Sequence, residues 1–271
     1  MSDERMQIEL HERARLFTAV LAASDWPDRE QAFAPHAVHA QAKRLRRYLQ
    51  PWRDHTAVQE VNRALAAGHS PSILLQTALT DFWPGLDEFA AQTNLADEYW
   101  PAQAASWDGA LAALQELFQE IRLVPFLRRL PLAIQPQRFV LMPNLLYPAL
   151  TPLPLELGAD WYLLLPPPRA VGASPPWSYD EDPGWVVGMV CAAFAHRLLG
   201  AQTPPFADTA VRALTHAFTT LCLEQELDEM EGRAYLLRIK KAAGLPDLPA
   251  LTERLRAFLE QPEGDLRRIL D

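Results

Sequence analysis

The sequence predicts an α+β protein that is mostly helical, with an N-terminal helical region, a small central sheet and a pair of buried helices toward the C-terminal end. Three observations carry this expectation. From about Arg5 to Arg129, Glu, Gln, Ala and Arg are plentiful and apolar residues recur three and four apart, with little strand-like alternation. From Leu130 to Pro183 prolines become frequent and two β-leaning runs occur, Arg138-Phe-Val-Leu-Met142 and Asp160-Trp-Tyr-Leu-Leu-Leu165. Beyond Pro183 follow two apolar stretches of helical character that carry almost no charge.

In chain order, helices are expected at Gln7–Ala23, Glu30–Leu49 and Asp54–Ala67, within Ser72–Phe82, and at Trp107–Leu123. Pro27, Pro51, Gly68-His-Ser-Pro71 and Trp83-Pro-Gly85 separate them, because proline lacks an N–H donor and glycine favours turns. No fixed period recurs, which excludes a solenoid. The second β-leaning run ends at Pro166–Pro168 or lies at a sheet edge, since those residues cannot donate to a ladder. The loop from Ser174 to Pro183 leads into an apolar helix at Gly184–Gly200, with Asp182 as N-cap and Pro183 in the first turn. A second helix is expected at Asp208–Glu231; between Arg212 and Glu224 it holds no charged residue and should therefore be buried. Glu231–Lys241 and Leu251–Glu260 close the chain as a helical hairpin around Gly244-Leu-Pro-Asp-Leu-Pro249. Composition thus divides the chain into residues 1–129, helical, and 130–271, which joins the sheet to the C-terminal helices in one compact unit.

Bulk properties narrow the function classes. With 271 residues and 49% hydrophobic content the chain can bury a sizeable core. The formal charge of -9, from 25 basic and 34 acidic residues, argues against nucleic acid as a partner. The densest basic run, Lys43-Arg44-Leu45-Arg46-Arg47, reads as the solvated face of an amphipathic helix. Cys191 and Cys222 lie in apolar helical surroundings and are expected to be small core residues, not a disulfide framework. The charged start Met1-Ser-Asp-Glu-Arg5 has no signal-peptide character, and the longest apolar run, Trp185–Ala195, falls short of the ~20 residues of a membrane span. A cytoplasmic protein without a membrane segment is expected. Only 11 glycines occur and none forms a phosphate loop, while Ser174 and Ser178 sit in no nucleophile-elbow pattern.

The helix at Gly184–Gly200 carries the most specific signal. It contains Ala192-Ala193-Phe194-Ala195-His196, one histidine where a zinc-binding helix holds two. A strand, a loop, a buried helix with a central histidine, a turn and a second buried helix follow one another from Arg138 to Gly244, and this order resembles the core of gluzincin-type metallopeptidases. In that family two histidines one turn apart bind zinc, a glutamate beside the first activates water, and the next helix supplies a carboxylate ligand. The resemblance places Ala192 at the first zinc histidine, Ala193 at the catalytic base and His196 at the second histidine. The third ligand falls on His216, about twenty residues on, with Glu224 as a rival position on the same helix. The family's peptide-binding edge strand corresponds to Trp161, Tyr162, Leu163, Leu164 and Leu165. The resemblance therefore implies a catalytically inactive metallopeptidase-like protein, with no metal or cofactor, kept for binding or scaffolding of an unknown protein or peptide. Two other readings stand beside it. One is an active hydrolase with a rearranged metal site around His196, His216 and a carboxylate such as Glu224; the other is a helical protein-interaction module unrelated to peptidases.

Simpler roles exist for the same residues. His196 can serve as a helix-end histidine bonded to a carbonyl, and His216 as a buried polar residue with a hydrogen-bond partner. Cys191 and His196 are five apart, about 140° around a helix, so Cys191, His196, His216 and Cys222 do not converge on one ion. His36 and His39 read as a solvated pair, and His11, His55 and His69 as surface residues. The eight tryptophans flank turns and helix starts, where a large ring packs one element on the next; Trp161 and Trp177 would border a peptidase-like cleft.

Overall fold

A computed structural model of the chain describes residues 5–30, 40–130, 135–145, 152–168, 178–261 and 265–270. The fold is mostly helical α+β, as the periodicity predicts. Among the described residues no helix is long and apolar enough to cross a membrane. His36, His39, Ser174 and Trp177 lie outside the described residues.

The chain divides into two compact units, one of Gln7–Glu116 with Val140–Asp182, the other of Met1–Met6 with Leu117–Phe139 and Pro183–Asp271. This differs from the expected division at 129/130, because the sheet groups with the N-terminal helices instead of the C-terminal ones. Its strands are β1 (Gln7–Ile8), β2 (Phe139–Pro143), β3 (Leu153–Leu157) and β4 (Asp160–Leu165), in the order β1-β2-β4-β3. Gln7 and Ile8, expected to begin a helix, instead pair parallel with Val140 and Leu141. β3 was not expected, since Pro154 interrupts Leu153-Pro-Leu-Glu-Leu157. It pairs antiparallel with β4 over Leu153↔Leu164 to Leu157↔Asp160, and a proline is tolerated there because β3 is an edge strand.

Helix α1 (Glu12–Ala23) opens behind His11, whose Nδ1 accepts the amide of Ala14 at 3.3 Å. It buries Phe17, Val20 and Leu21 and packs against α2 (Trp26–Glu30), α3 (Ala40–Tyr48), α4 (Thr56–Ala66) and α5 (Pro71–Thr80). His55 likewise caps α4, accepting from Ala57 N at 3.2 Å, so two of the three histidines expected at the surface close helix N-termini. From α5, the Gln76 amide accepts from Glu156 N at 2.6 Å and donates back to the Glu156 carbonyl. A side chain thereby takes the place of a neighbouring strand on the β3 edge, which would otherwise present unpaired backbone. After α6 (Leu86–Thr93) comes Asn94, with a left-handed φ of 49°, a π-helical turn at Leu95–Tyr99, α7 (Trp100–Ala102) and α8 (Ala104–Glu120). The sequence reading places no helix between Leu86 and Ala102.

The second unit holds α9 (Leu123–Leu127), α10 (Pro183–Gly200), α11 (Asp208–Glu226), α12 (Glu229–Ala242) and α13 (Leu248–Glu260). α11 packs against all four of the others. Its charge-free span is buried through Leu214, Ala217, Phe218, Leu221, Cys222 and Leu223, as expected. Each large apolar side chain removed from water this way stabilises the fold by about 1.5–3 kcal/mol before entropy is counted. α11 ends at Glu226, short of the expected Glu231: Leu227 leaves the helical region and Asp228 caps α12, accepting from Glu231 N at 2.9 Å. An N-cap aspartate is a stronger local signal than continued helix propensity.

Candidate functional site

The residues singled out by the peptidase resemblance fall in different places. α10 carries Ala192, Ala193 and His196, with both alanines half-buried and the imidazole of His196 exposed. The face of α10 that meets α11 is instead built from small residues. Gly188 lies against Leu223 and Tyr235, and Cys191 approaches Cys222 closely enough for their thiols to hydrogen-bond. Both cysteines are free and fully buried, in line with the core role expected of them. Burial raises the Cys222 thiol pKa well above its ordinary value, which keeps it protonated.

His216, half-buried on α11, has a ring nitrogen (Nδ1) 2.8 Å from the hydroxyl of Tyr235 on α12. Burial lowers its pKa, and the charges of Arg212 and His196 lower it further. His196 is therefore within electrostatic reach of His216. With the imidazole neutral, the tautomer sets the direction: the phenol donates to a bare Nδ1, and an Nδ1–H donates to the phenol oxygen. Tyr235 is itself buried, and burial raises its pKa, so it keeps its proton.

Glu224 turns elsewhere. Two turns beyond His216, its carboxylate meets Arg256 of α13 at 2.7 Å, and that bond is the leading cause of a raised Arg256 pKa. Gly232 on α12 makes room for this arrangement. A Cβ there would lie 2.8 Å from the Thr220 carbonyl oxygen and 3.1 Å from Glu224 Cδ, inside normal contact distance. α11 and α12 approach this closely because residue 232 has no side chain. Among the described residues no three His, Cys, Asp or Glu side chains come together in a way that could hold a metal ion. That includes the four-residue set of Cys191, His196, His216 and Cys222.

The strand assigned to peptide binding requires a correction. β4, which contains Trp161, Tyr162, Leu163, Leu164 and Leu165, is hydrogen-bonded on both sides, by β2 and by β3. It is an inner strand with all five side chains buried, so its backbone is not free to pair with an extended peptide. The sequence could not reveal this, because the run that flanks β4 is the proline-containing β3.

The partners that define the chemistry here, Tyr235 and Arg256, were not singled out from the sequence. Each is an ordinary helix residue until tertiary packing places it beside His216 or Glu224. Comparison with known protein families, curated proteins and solved structures finds no match to this chain.

Proposed function

We propose that this chain is a binding or scaffolding protein whose C-terminal helices form a metallopeptidase-like scaffold without a catalytic metal. One observation supports this most: two of the three side chains that could serve as ligands are committed to protein partners, His216 to Tyr235 and Glu224 to Arg256. The first ligand and base positions hold Ala192 and Ala193, which can neither coordinate zinc nor move a proton. The reading assigns no cofactor, takes a protein or peptide as partner, and fits a cytoplasmic setting, where the free thiols of Cys191 and Cys222 stay reduced.

A second reading is favoured by the sheet. Because β4 is paired on both sides, the strand that the resemblance assigns to peptide binding is not an edge strand, which suits a helical interaction module with no peptidase ancestry.

Elemental analysis of untagged protein is expected to find no stoichiometric zinc. One zinc per chain, lost in His196→Ala, overturns the proposal in favour of a hydrolase with a rearranged site. The two binding readings separate on Ala192→His with Ala193→Glu, combined with His216→Glu. Zinc uptake by that folded variant supports the peptidase-like scaffold, and its failure leaves the interaction module.

A further inference from the structure

A cavity of about 330 Å³ opens in the sheet-bearing unit, lined by Glu12, Arg13, Arg15, Leu16, Ala90, Leu95, Ala96 and Trp100. Three of these residues decide its chemistry. Arg13 is already engaged, its Nε donating to the Ala78 carbonyl at 2.6 Å and its Nη2 to the Asp81 carbonyl at 3.3 Å. Arg15 is not. Its guanidinium carbon lies 4.5 Å from the centre of the Trp100 ring and 5.5 Å from that of Trp107, yet its side chain makes no hydrogen bond or ion pair among the described residues. Its Nε is fully buried without a partner, and so is the indole Nε1 of Trp107. Glu12, on the same helix and exposed, reaches Arg15 only through its field.

A half-buried cation with unused donors is unusual, because such groups are normally paired. Cation–π contact with two indole rings explains how the guanidinium is held. It does not supply an acceptor. The guanidinium is a planar fork that accepts a carboxylate through two parallel hydrogen bonds. Beside it, Leu16, Ala90, Leu95, Ala96 and the Trp100 ring form an apolar wall, and the cavity volume is at the small end of the range for ligand sites. Arg13 and Arg15 each carry one positive charge and Glu12 one negative, so the lining has a net charge of +1, which suits a monoanion better than a phosphate dianion.

We infer that this cavity binds a small monocarboxylate with an apolar body, the carboxylate bridging the Arg15 fork and the body lying against Trp100. The site lies within residues 7–116 and stands independently of the reading given for the C-terminal helices.

Isothermal titration of the full chain with sodium phenylacetate tests it, with phenylacetamide as the neutral counterpart and inorganic phosphate as the other anion. Saturable one-to-one binding of phenylacetate is expected, with phenylacetamide and phosphate at least tenfold weaker. Arg15→Gln is expected to weaken phenylacetate at least tenfold. Ala90→Leu, which fills the cavity and leaves Arg15 in place, should do the same and decides the matter if Arg15→Gln fails to fold by circular dichroism. Three results overturn the inference: no saturable binding of phenylacetate, equal binding of the amide or of phosphate, or unchanged binding in the folded variants. In the first case Arg15 is only a structural cation.

Discussion

Replacing Gly232 by alanine sets two effects of known size against each other. Gly232 lies in the first turns of α12, where alanine is favoured over glycine by up to about 1 kcal/mol on propensity alone. The added Cβ, however, would sit 2.8 Å from the Thr220 carbonyl oxygen, a backbone atom that cannot swing aside, and closer still to Glu224 Cγ. Relief requires α12 to move away from α11, and overpacking of this kind typically costs about 1–3 kcal/mol. Glu224 must also shift, loosening its bond to Arg256; that pair is partly exposed, at 18% and 40%, so its loss adds at most about 1 kcal/mol. The steric terms win, and a net loss of about 1–2 kcal/mol is expected. Scanning calorimetry should then show a fall in Tm of about 2–4 °C for each kcal/mol lost. Gly109 supplies the control. It is exposed inside α8 and a Cβ there meets nothing within 4 Å, so Gly109→Ala should stabilise by about 0.5–1 kcal/mol. A Gly232→Ala protein as stable as the parent, or more so, refutes the close approach of α11 and α12 and with it the placement of Tyr235 beside His216.

Two further expectations concern the same helices. Tyr235→Phe removes the hydroxyl 2.8 Å from His216 Nδ1 and leaves that nitrogen half-buried without its partner; urea unfolding should report a loss of about 1–2 kcal/mol, and no loss would mean that water replaces the phenol freely. Because burial lowers the His216 pKa, the unfolded chain binds a proton at higher pH than the folded one. The contribution of this residue to stability is thus complete above the ordinary histidine pKa and declines as pH falls below it toward the folded value. His216→Gln should flatten that part of the stability profile between pH 7 and pH 5, measured as the difference from the parent protein, and an unchanged slope removes His216 as its source.

Much of the fold was legible because it is written locally. The charge-free stretch from Ala213 to Leu223 has only one environment that suits it, and α11 is buried there. Pro183 opens α10, and the β-leaning run at Asp160–Leu165 stops before Pro166, as residues without a donor require. Where the reading failed, the place of a strand in the sheet decided. Gln7 and Ile8 are extended because Val140 and Leu141 offer a ladder, and β3 forms despite Pro154 because it pairs with β4 alone and no strand on its other edge needs the missing donor. A one-dimensional pattern holds no record of either.

The candidate site divides along the same line. By itself the sequence determined that Ala192 and Ala193 cannot be ligand and base, that His196 and His216 lie on consecutive apolar helices, and that the chain is mostly helical with a small sheet. Only the tertiary structure decided that His216 meets Tyr235, that Glu224 meets Arg256, that β4 is enclosed by two neighbours and that Arg15 lies against two indole rings beside a cavity. The reason is physical. Side-chain type and spacing fix local conformation and burial, whereas hydrogen-bond partners and electrostatic surroundings are set by which distant surfaces exclude water together.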